Sequence, residues 1–186
     1  MALHLRPLAR ADFPLLGTWL AAPHVHAWWR EASEAAAVEA HYGPAVDGLD
    51  PTEHFVVEYD GRGIGMLQRC RIDDHPDYRG ALEPAGTPFP AATLDYLIGD
   101  PDLVGQGLGP QLIAASAAEV WTRYPDVAAV VIAVQQDNRR SWRALEKAGF
   151  HRAWSGQVKT DDPSDDGPSH VYVLPRPEGR SPDVES

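Results

Sequence analysis

The 186-residue chain carries 27 acidic and 16 basic residues, a formal net charge of −11 that disfavours nucleic acid and anionic membranes as partners. Its 44% hydrophobic content is enough for the core of one globular domain, and the single cysteine, Cys70, excludes a disulfide framework and a multi-cysteine metal site. The chain has no secretion signal and no apolar run of about 20 residues, so we expect a cytoplasmic protein.

The first predicted elements are a strand and a helix. Leu3 and Leu5 alternate with polar residues, which indicates a strand. Asp12 is a candidate cap for a helix whose apolar stripe runs from Phe13 onward and is expected to end before Pro23.

Residues 24–30, HVHAWWR, are predicted to form an aromatic-rich connector to a helix over residues 33–42. Trp28 and Trp29 are adjacent and cannot both face a core from one regular helix, so at least one is expected to line a pocket or cover a loop. Core packing and pocket lining stay equally open. The two histidines of this segment lack partners for a metal site nearby and are predicted to be surface or loop residues.

The middle of the chain predicts a hairpin followed by a long loop. Residues 55–59 and 64–68 read as antiparallel strands, because Asp60-Gly61 between them is a strong hairpin signal. Residues 73–90 are rich in proline, glycine and acid without a period, which predicts a long surface loop. The acidic residues cluster in two segments, namely Asp73, Asp74, Asp77 and Glu83, and Asp161, Asp162, Asp165 and Asp166.

The second half alternates between strand and helix, which predicts a mixed sheet covered by helices. The expected elements are a strand over 92–98, a helix over 108–124, an apolar strand over 127–134 that is buried on both faces, a helix over 141–148, and strands from Phe150 and over 171–173. An acidic loop is expected over 157–169. We predict one domain over residues 1–174 and a disordered tail over 175–186.

The loop VGQGLG places Gly105, Gly107 and Gly109 between a strand and a helix. Glycines leave their N–H groups uncovered, and the following helix adds the positive end of its dipole, a combination that binds phosphate. Pro110 and Gln111 exclude a Walker loop, and the G-x-G-x-G spacing past mid-chain differs from the dinucleotide fingerprint. Taken alone, the loop is only modestly more indicative of a ligand site than of a simple turn.

Together with this loop, Asn138-Arg139-Arg140-Ser141 and the EKAGF sequence at 146–150 resemble the GCN5-related N-acetyltransferases (GNAT). The resemblance implies the GNAT fold, of α/β (α+β) class, with a mixed, mostly antiparallel sheet of six to seven strands and about four helices. It also implies acetyl-CoA as the donor and no metal. Similarity to the aminoglycoside 6'-N-acetyltransferases extends into the first half through Trp19-Leu20, His24, Trp28-Trp29, Tyr42 and Leu94-Asp95.

The resemblance also implies roles for individual residues. Asp95 is the candidate base, since acetyl transfer needs a neutral amine and a carboxylate can accept its proton. The implied acceptor-binding residues are Trp28, Trp29, Tyr42, Glu83 and Asp95. The implied cofactor-binding residues are Tyr96 and Leu97 for the oxyanion, Gln106, Gly107, Leu108 and Gly109 for the pyrophosphate, and Asn138 for the pantetheine arm. For Asn138 a helix N-cap is an equal alternative.

Two positions depart from the family pattern. Val104 stands where many members have Arg or Gln, so one charged contact to the phosphates is absent. Leu145 stands where many members have a tyrosine that protonates the departing thiolate, with Ser141 and Trp142 nearby. Either water supplies that proton or the acid is dispensable.

The main prediction is acetyl transfer to the amine of a small cationic acceptor, foremost the 6'-amine of an aminoglycoside, in a ternary complex. Its rivals are acylation of lysine or hydroxylysine in siderophore assembly, acetylation of a protein amine, and a non-catalytic acyl-CoA-binding sensor, which Leu145 favours. The sequence fits a monomer or a homodimer, and it leaves open whether antibiotic resistance is the physiological role.

Overall fold

The structure is a computed structural model that describes residues 3–160, 162–165 and 167–178. Seven strands form one sheet in the order β1-β2-β3-β4-β5-β7-β6. They are β1 (Leu3–Pro7), β2 (Glu53–Tyr59), β3 (Arg62–Arg71), β4 (Ala91–Ile98), β5 (Ala129–Gln135), β6 (His151–Gln157) and β7 (Pro168–Pro175). Neighbouring strands are antiparallel except for β4 and β5, which run parallel. The predicted mixed, mostly antiparallel sheet is therefore confirmed.

Six α-helices flank the sheet in the described residues, where about four were expected. They are α1 (Phe13–Ala21), α2 (Pro23–Trp29), α3 (Ala35–Val46), α4 (Pro76–Leu82), α5 (Leu108–Arg123) and α6 (Arg139–Lys147). The predictions of a connector over 24–30 and of a loop throughout 73–90 were wrong, since these segments contain α2 and α4. Pro23 and Pro76 each occupy the first turn of the new helix. A proline costs nothing there, because the first N–H groups of a helix have no intrahelical partner.

The core lies on both faces of the sheet, and β5 contributes to both. Val130, Ile132 and Val134 pack with α5 and α6, whereas Ala129 and Val131 face the side covered by α4. This alternation confirms that the strand predicted over 127–134 is buried on both faces. The helices α1, α2 and α3 cover the remaining part of that second face, over β2 and β3.

Strands β4 and β5 are paired only at their beginnings. Within the described residues their register consists of Ala91 with Ala129 and Ala92 with Val130. Further along, β4 stays paired with β3, and β5 stays paired with β7. The strands therefore separate and leave a gap in the middle of the sheet, with backbone groups of β4 on its edge.

The C-terminal strand extends further than predicted. β7 ends at Pro175, and the Arg176 guanidinium donates hydrogen bonds of 2.8 Å to the carbonyl oxygens of Val127 and Tyr124. Ordered structure thus continues past the predicted start of the tail at 175. The rest of that predicted tail, residues 179–186, lies outside the described residues. No helix in the described part of the chain is both long and apolar enough to cross a membrane.

We predict that Gly65→Ala lowers the stability of the protein. A Cβ at Gly65 on β3 would overlap the carbonyl oxygen of Leu97 on β4, so β3 could not keep its pairing with β4, one of the two strands that border the gap. The expected loss is about 1–3 kcal/mol, the usual cost of forcing extra atoms into a packed interior. Urea unfolding measures it.

Gly80→Ala is the matched control. Gly80 lies in α4, nothing lies within 4 Å of a Cβ added there, and alanine is the better helix former. Equal unfolding midpoints for the two variants would contradict the steric argument.

Candidate active site

Two cavities meet at the gap between β4 and β5. The first, here the acidic cavity, has a volume of about 510 Å³ and includes Asp95 and Gln68 in its wall. The second, the glycine-loop cavity, has a volume of about 670 Å³ and includes Gly105, Gly107 and Gly109. Both are lined by Trp28, Trp29, Tyr96, Asn138 and Ser141. Two different ligands bound in the two cavities would therefore touch at this junction.

The acidic cavity concentrates negative charge. Its described lining contains neither lysine nor arginine, and it includes six carboxylates, Glu31, Asp74, Asp77, Asp95, Asp162 and Asp165. They come from four places in the chain that the fold brings together. Asp161 and Asp166 of the predicted acidic cluster lie outside the described residues. Such a cavity favours cations.

Asp95 lies in β4 at the wall of the acidic cavity, and its side chain accepts a 3.0 Å hydrogen bond from Gln68 Nε2. Burial raises the pKa of Asp95 to about 6, and the nearby carboxylates of Asp165, Asp162 and Glu31 add to this effect while Gln68 opposes it. A carboxyl with a pKa near 6 is largely ionised at neutral pH and yet a better proton acceptor than an ordinary aspartate. Asp95 is therefore equipped to act as a base.

The aromatic residues predicted at the acceptor side fall into two groups. Trp28 and Trp29 are half-buried near the end of α2, and both line the two cavities. Tyr42 instead is fully buried in the core, beneath the cavity wall. Its hydroxyl donates a 2.6 Å hydrogen bond to Glu31, which does line the cavity, so Tyr42 supports the site through Glu31.

Glu83 does not line either cavity and is exposed. Its neighbour Leu82 is fully buried in the core at the end of α4, and a short 3-10 helix, Glu83–Ala85, begins immediately after it. The structure therefore places Glu83 outside the lining of both cavities, and its acceptor-side role stays a prediction. Glu31, Asp74 and Asp77 supply the carboxylates from this half of the chain instead.

The glycine loop has the backbone geometry that a phosphate site needs. Gly105 and Gly107 have φ angles of +85° and +82°, which side chains rarely adopt, and α5 begins directly after Gly107. Among the described residues no side chain caps that end of α5, so the first N–H groups of the helix are available at the cavity.

The N–H of one predicted loop residue already has a partner within the loop. The Gln106 amide donates to the Leu103 carbonyl at 3.4 Å, and its side chain donates to the Asp102 carbonyl at 2.6 Å. The Leu108 side chain is buried in the core, whereas its N–H is the first of α5. Gly107 and Gly109, together with Tyr96, Leu97 and Asn138, are the predicted cofactor residues that line the glycine-loop cavity.

Cationic side chains of α6 also line this cavity, and sequence reasoning missed them. They are Arg139, Arg140, Arg143 and Lys147. Three of the four, Arg139, Arg143 and Lys147, recur at intervals of four residues. This spacing places them on one face of a helix and could have indicated a basic face from the sequence. Backbone dipoles are therefore not the sole source of positive potential here.

The junction carries a pair of hydroxyl groups. Tyr96 Oη and Ser141 Oγ are 2.8 Å apart. Asn138 Oδ1 accepts a 3.2 Å hydrogen bond from the Ser141 amide, so its side-chain oxygen caps α6, the alternative that the sequence left open. Leu145 is fully buried and offers no proton.

The two histidines that were predicted to be surface or loop residues lie in α2, where His26 is exposed and His24 is half-buried and lines the glycine-loop cavity. His24 Nε2 is 3.0 Å from the Ile98 carbonyl, a contact that ties α2 to the end of β4. No group of three or more His, Cys, Asp or Glu in the described residues could hold a metal ion.

Residues 9–158 match the family model of the acetyltransferase (GNAT) domain. The chain belongs to the GNAT acetyltransferase family. It is 30% identical over 173 residues to the aminoglycoside N(6')-acetyltransferase type 1 of Klebsiella pneumoniae, covering 91% of this chain and 81% of that protein. The corresponding protein of Serratia marcescens gives the same values.

Solved structures agree in fold. A crystal structure of the aminoglycoside acetyltransferase AAC(6')-Ib with coenzyme A has a TM-score of 0.77 at 26% identity, over 94% of this chain and 95% of that one. A structure of AAC(6')-Ib with ribostamycin and coenzyme A has a TM-score of 0.78 at 26% identity, over 95% of this chain and 94% of that one. The GNAT fold and the family membership expected from the sequence are confirmed. As a GNAT acetyltransferase, the protein takes its acetyl group from acetyl-CoA.

We predict that Asp95→Asn stabilises the fold at pH 8 but not near pH 4. The folded-state pKa of Asp95, about 6, exceeds its ordinary value of 3.8, so ionisation of this carboxyl costs stability as the pH rises from about 4 through 6. Above pH 6 the cost is complete and amounts to at most about 3 kcal/mol. Asparagine keeps an oxygen that can accept the Gln68 hydrogen bond.

Unfolding midpoints of wild type and Asp95→Asn, compared at both pH values, measure this difference in stability. Asp102→Asn is the control, because Asp102 is exposed and its charge stays in water. A difference in stability between wild type and Asp95→Asn that is the same at both pH values would contradict the assignment of a raised pKa to this carboxyl.

Proposed function

We propose that the protein transfers the acetyl group of acetyl-CoA to a primary amine of a small polycationic acceptor, foremost the 6'-amine of an aminoglycoside. The observation that carries the proposal is the separation of charge between two cavities that meet. The acidic cavity is lined by carboxylates without lysine or arginine among the described residues, whereas the glycine-loop cavity is lined by α6 cations. One cavity suits an ammonium-rich acceptor and the other an anionic donor.

The proposed donor site is the glycine-loop cavity. The available N–H groups at the start of α5 would hold the pyrophosphate, with Gly107 and Gly109 allowing close approach of the backbone. Arg139, Arg143 and their neighbours on α6 would add charge for the phosphates. The pantetheine arm would then reach the junction beside Asn138 and Tyr96.

The proposed acceptor site is the acidic cavity. Its carboxylates would pair with the ammonium groups of the acceptor, and Trp28 and Trp29 would stack on its rings. Asp95 would take one proton from the attacking ammonium, either directly or through water. The neutral amine would attack the thioester carbon, and the resulting oxyanion would be held by a β4 backbone N–H near Tyr96 or Leu97 on the gap.

Collapse of the tetrahedral species would form the amide and break the carbon–sulfur bond. The nitrogen loses its second proton, and the departing thiolate gains one, so one proton is released overall through Asp95. The thiolate would leave at the junction of the cavities, beside the Tyr96 and Ser141 hydroxyls. These hydroxyls would supply the hydrogen bond that Leu145 cannot offer.

We also propose that the enzyme works in the cytoplasm, which suits a buried free thiol at Cys70.

The relatives favour the aminoglycoside reading over the rival amines. Two relatives that match over 91% of this chain are named aminoglycoside N(6')-acetyltransferases, and solved relatives contain ribostamycin or kanamycin together with coenzyme A.

The direct test of the acceptor class is a thiol-release assay with acetyl-CoA and a panel of amines. We expect release with aminoglycosides that carry a 6'-amine and none with analogues that carry a 6'-hydroxyl. Free lysine, hydroxylysine and a peptide with a free amino terminus represent the rival acceptors. Faster release with any of these than with every aminoglycoside would contradict the proposal, and binding of acetyl-CoA without turnover on the whole panel would support a sensor.

We predict that Asp95→Asn lowers kcat/KM for the best amine by a factor of at least about 100, the scale of a lost general base. Binding of coenzyme A should change less than about threefold, because Asp95 lines the acidic cavity and not the glycine-loop cavity. Steady-state kinetics and calorimetric titration with coenzyme A measure the two effects. Turnover equal to that of the wild type would remove Asp95 from the mechanism.

A further inference from the structure

His54, Gln68 and Asp95 lie side by side on three adjacent strands. The register of β2 and β3 pairs His54 with Gln68, and the register of β3 and β4 pairs Gln68 with Asp95. Residues directly opposite each other in antiparallel strands project to the same face at contact distance. The side chains accordingly form two hydrogen bonds of 3.0 Å, between His54 and Gln68 and between Gln68 and Asp95.

Each hydrogen bond in this row has one possible direction when Asp95 is ionised. A carboxylate only accepts, so the amide nitrogen of Gln68 must face Asp95. The amide oxygen of Gln68 then faces His54 Nε2, which must carry a proton to donate. His54 Nδ1 is buried and has no hydrogen-bond partner in the described structure, which fits an unprotonated nitrogen.

The surroundings keep the His54 ring neutral and in place. Burial lowers the pKa of His54 to about 4, opposed by the hydrogen bond to Gln68, by Asp50 and by the backbone of Thr52, while His41 of α3 adds to the lowering. The ring also packs edge-on against Tyr42, at 5.1 Å between centroids. The Nε2–H donor therefore persists throughout the pH range in which the enzyme would work.

We propose that His54 is a positioning residue for Asp95: its Nε2–H holds the Gln68 amide so that the amide nitrogen faces the carboxylate. The proposal rests on the role of Asp95 as the base. Without the His54 donor, the Gln68 oxygen would lose its partner, and the amide would no longer be held with its nitrogen toward Asp95.

The other groups around Asp95 make this hydrogen bond important. Glu31 after α2 and Asp162 and Asp165 between β6 and β7 all favour the protonated carboxyl, as does burial. Tyr78 of α4 and Cys70 of β3 also face this region, and burial raises the pKa of both, so they are neutral. Among the groups that act most strongly on Asp95, Gln68 is the one that favours the ionised form.

The expected effect is on the acid limb of the pH dependence of kcat/KM. The base must be ionised, so activity falls as the pH drops through the pKa of Asp95, about 6. Loss of a hydrogen bond to the ionised form raises that pKa and moves the limb to higher pH. We expect a shift of about one pH unit in Gln68→Leu, and of at least about half a unit in His54→Phe.

Matched variants separate positioning from packing. His54→Phe keeps a ring against Tyr42 and removes the donor, whereas His54→Gln keeps a donor that can reach the same point. His54→Gln should leave the acid limb within about 0.2 units of wild type. In a Gln68→Leu background, adding His54→Phe should cause no further shift, because the effect acts through Gln68.

The carboxyl ¹³C resonance of Asp95, titrated in wild type and in both His54 variants, gives a readout that needs no turnover. A pKa of Asp95 that rises in His54→Phe and not in His54→Gln supports the proposal. Equal values in wild type and His54→Phe, or a further shift in the double variant, would overturn it. If His54→Phe does not fold, the pKa of Asp95 in Gln68→Leu and in His54→Gln decides. An unchanged pKa in Gln68→Leu, or a raised pKa in His54→Gln, overturns the proposal. A raised pKa in Gln68→Leu together with an unchanged pKa in His54→Gln supports it.

Failure of the base proposal is distinguishable from failure of this inference. If Asp95→Asn keeps full activity, the base role falls, while the ¹³C titration still reports whether His54 acts on Asp95. If Asp95→Asn is inactive and the ¹³C titration is unchanged by His54→Phe, only the inference about His54 falls.

Discussion

The separation of β4 from β5 is the constraint on which the site depends. Two parallel strands in the middle of a sheet normally hydrogen-bond along their whole length, but here the described register ends after Ala92 and Val130. The backbone of β4 beyond that point borders a gap instead of a neighbouring strand. The buried polar groups that this leaves would be costly in a closed core, and they are tolerated because the gap opens to two cavities. The same feature that weakens the sheet opens the junction at which, in the proposed mechanism, the two reactants would meet.

The distribution of charge follows from the two sides of this gap. A chain with a net charge of −11 places α6 cations and the start of α5 at one cavity and collects carboxylates at the other. Burial and, to a smaller extent, the carboxylates around Asp95 raise the pKa of Asp95, so its ionisation reduces stability at neutral pH. Binding of a cationic acceptor would relieve the repulsion. The acidic cavity is therefore better explained by a ligand than by solubility.

Several parts of this architecture were visible in the sequence, because they depend on local chemistry. The glycines before α5, the buried strand β5 and the Asp-Gly hairpin all follow from residue type and spacing. The prolines were ambiguous, since the first helix does end before Pro23 as expected, but Pro23 also begins the next helix and Pro76 begins α4. The position of Glu83 depended on Leu82 being buried, which is a property of the whole core.

Contacts between distant strands were beyond sequence reasoning. Asp95 was singled out by its interval before the glycine loop, but its partner Gln68 lies 27 residues away and the next residue in the row, His54, a further 14. Only the register of β2, β3 and β4 brings them into line. The α6 cations were similarly overlooked, because their meaning comes from the cavity that the helix faces.

The most direct measurement of the central claim is a crystal structure of the protein with coenzyme A and an aminoglycoside that carries a 6'-amine. The account predicts the pyrophosphate on the N–H groups that begin α5, the coenzyme A sulfur at the junction beside Tyr96 and Ser141, and the 6'-amine within hydrogen-bonding reach of Asp95, directly or through one water. A nucleotide bound away from the glycine loop, or an aminoglycoside outside the acidic cavity, would contradict it.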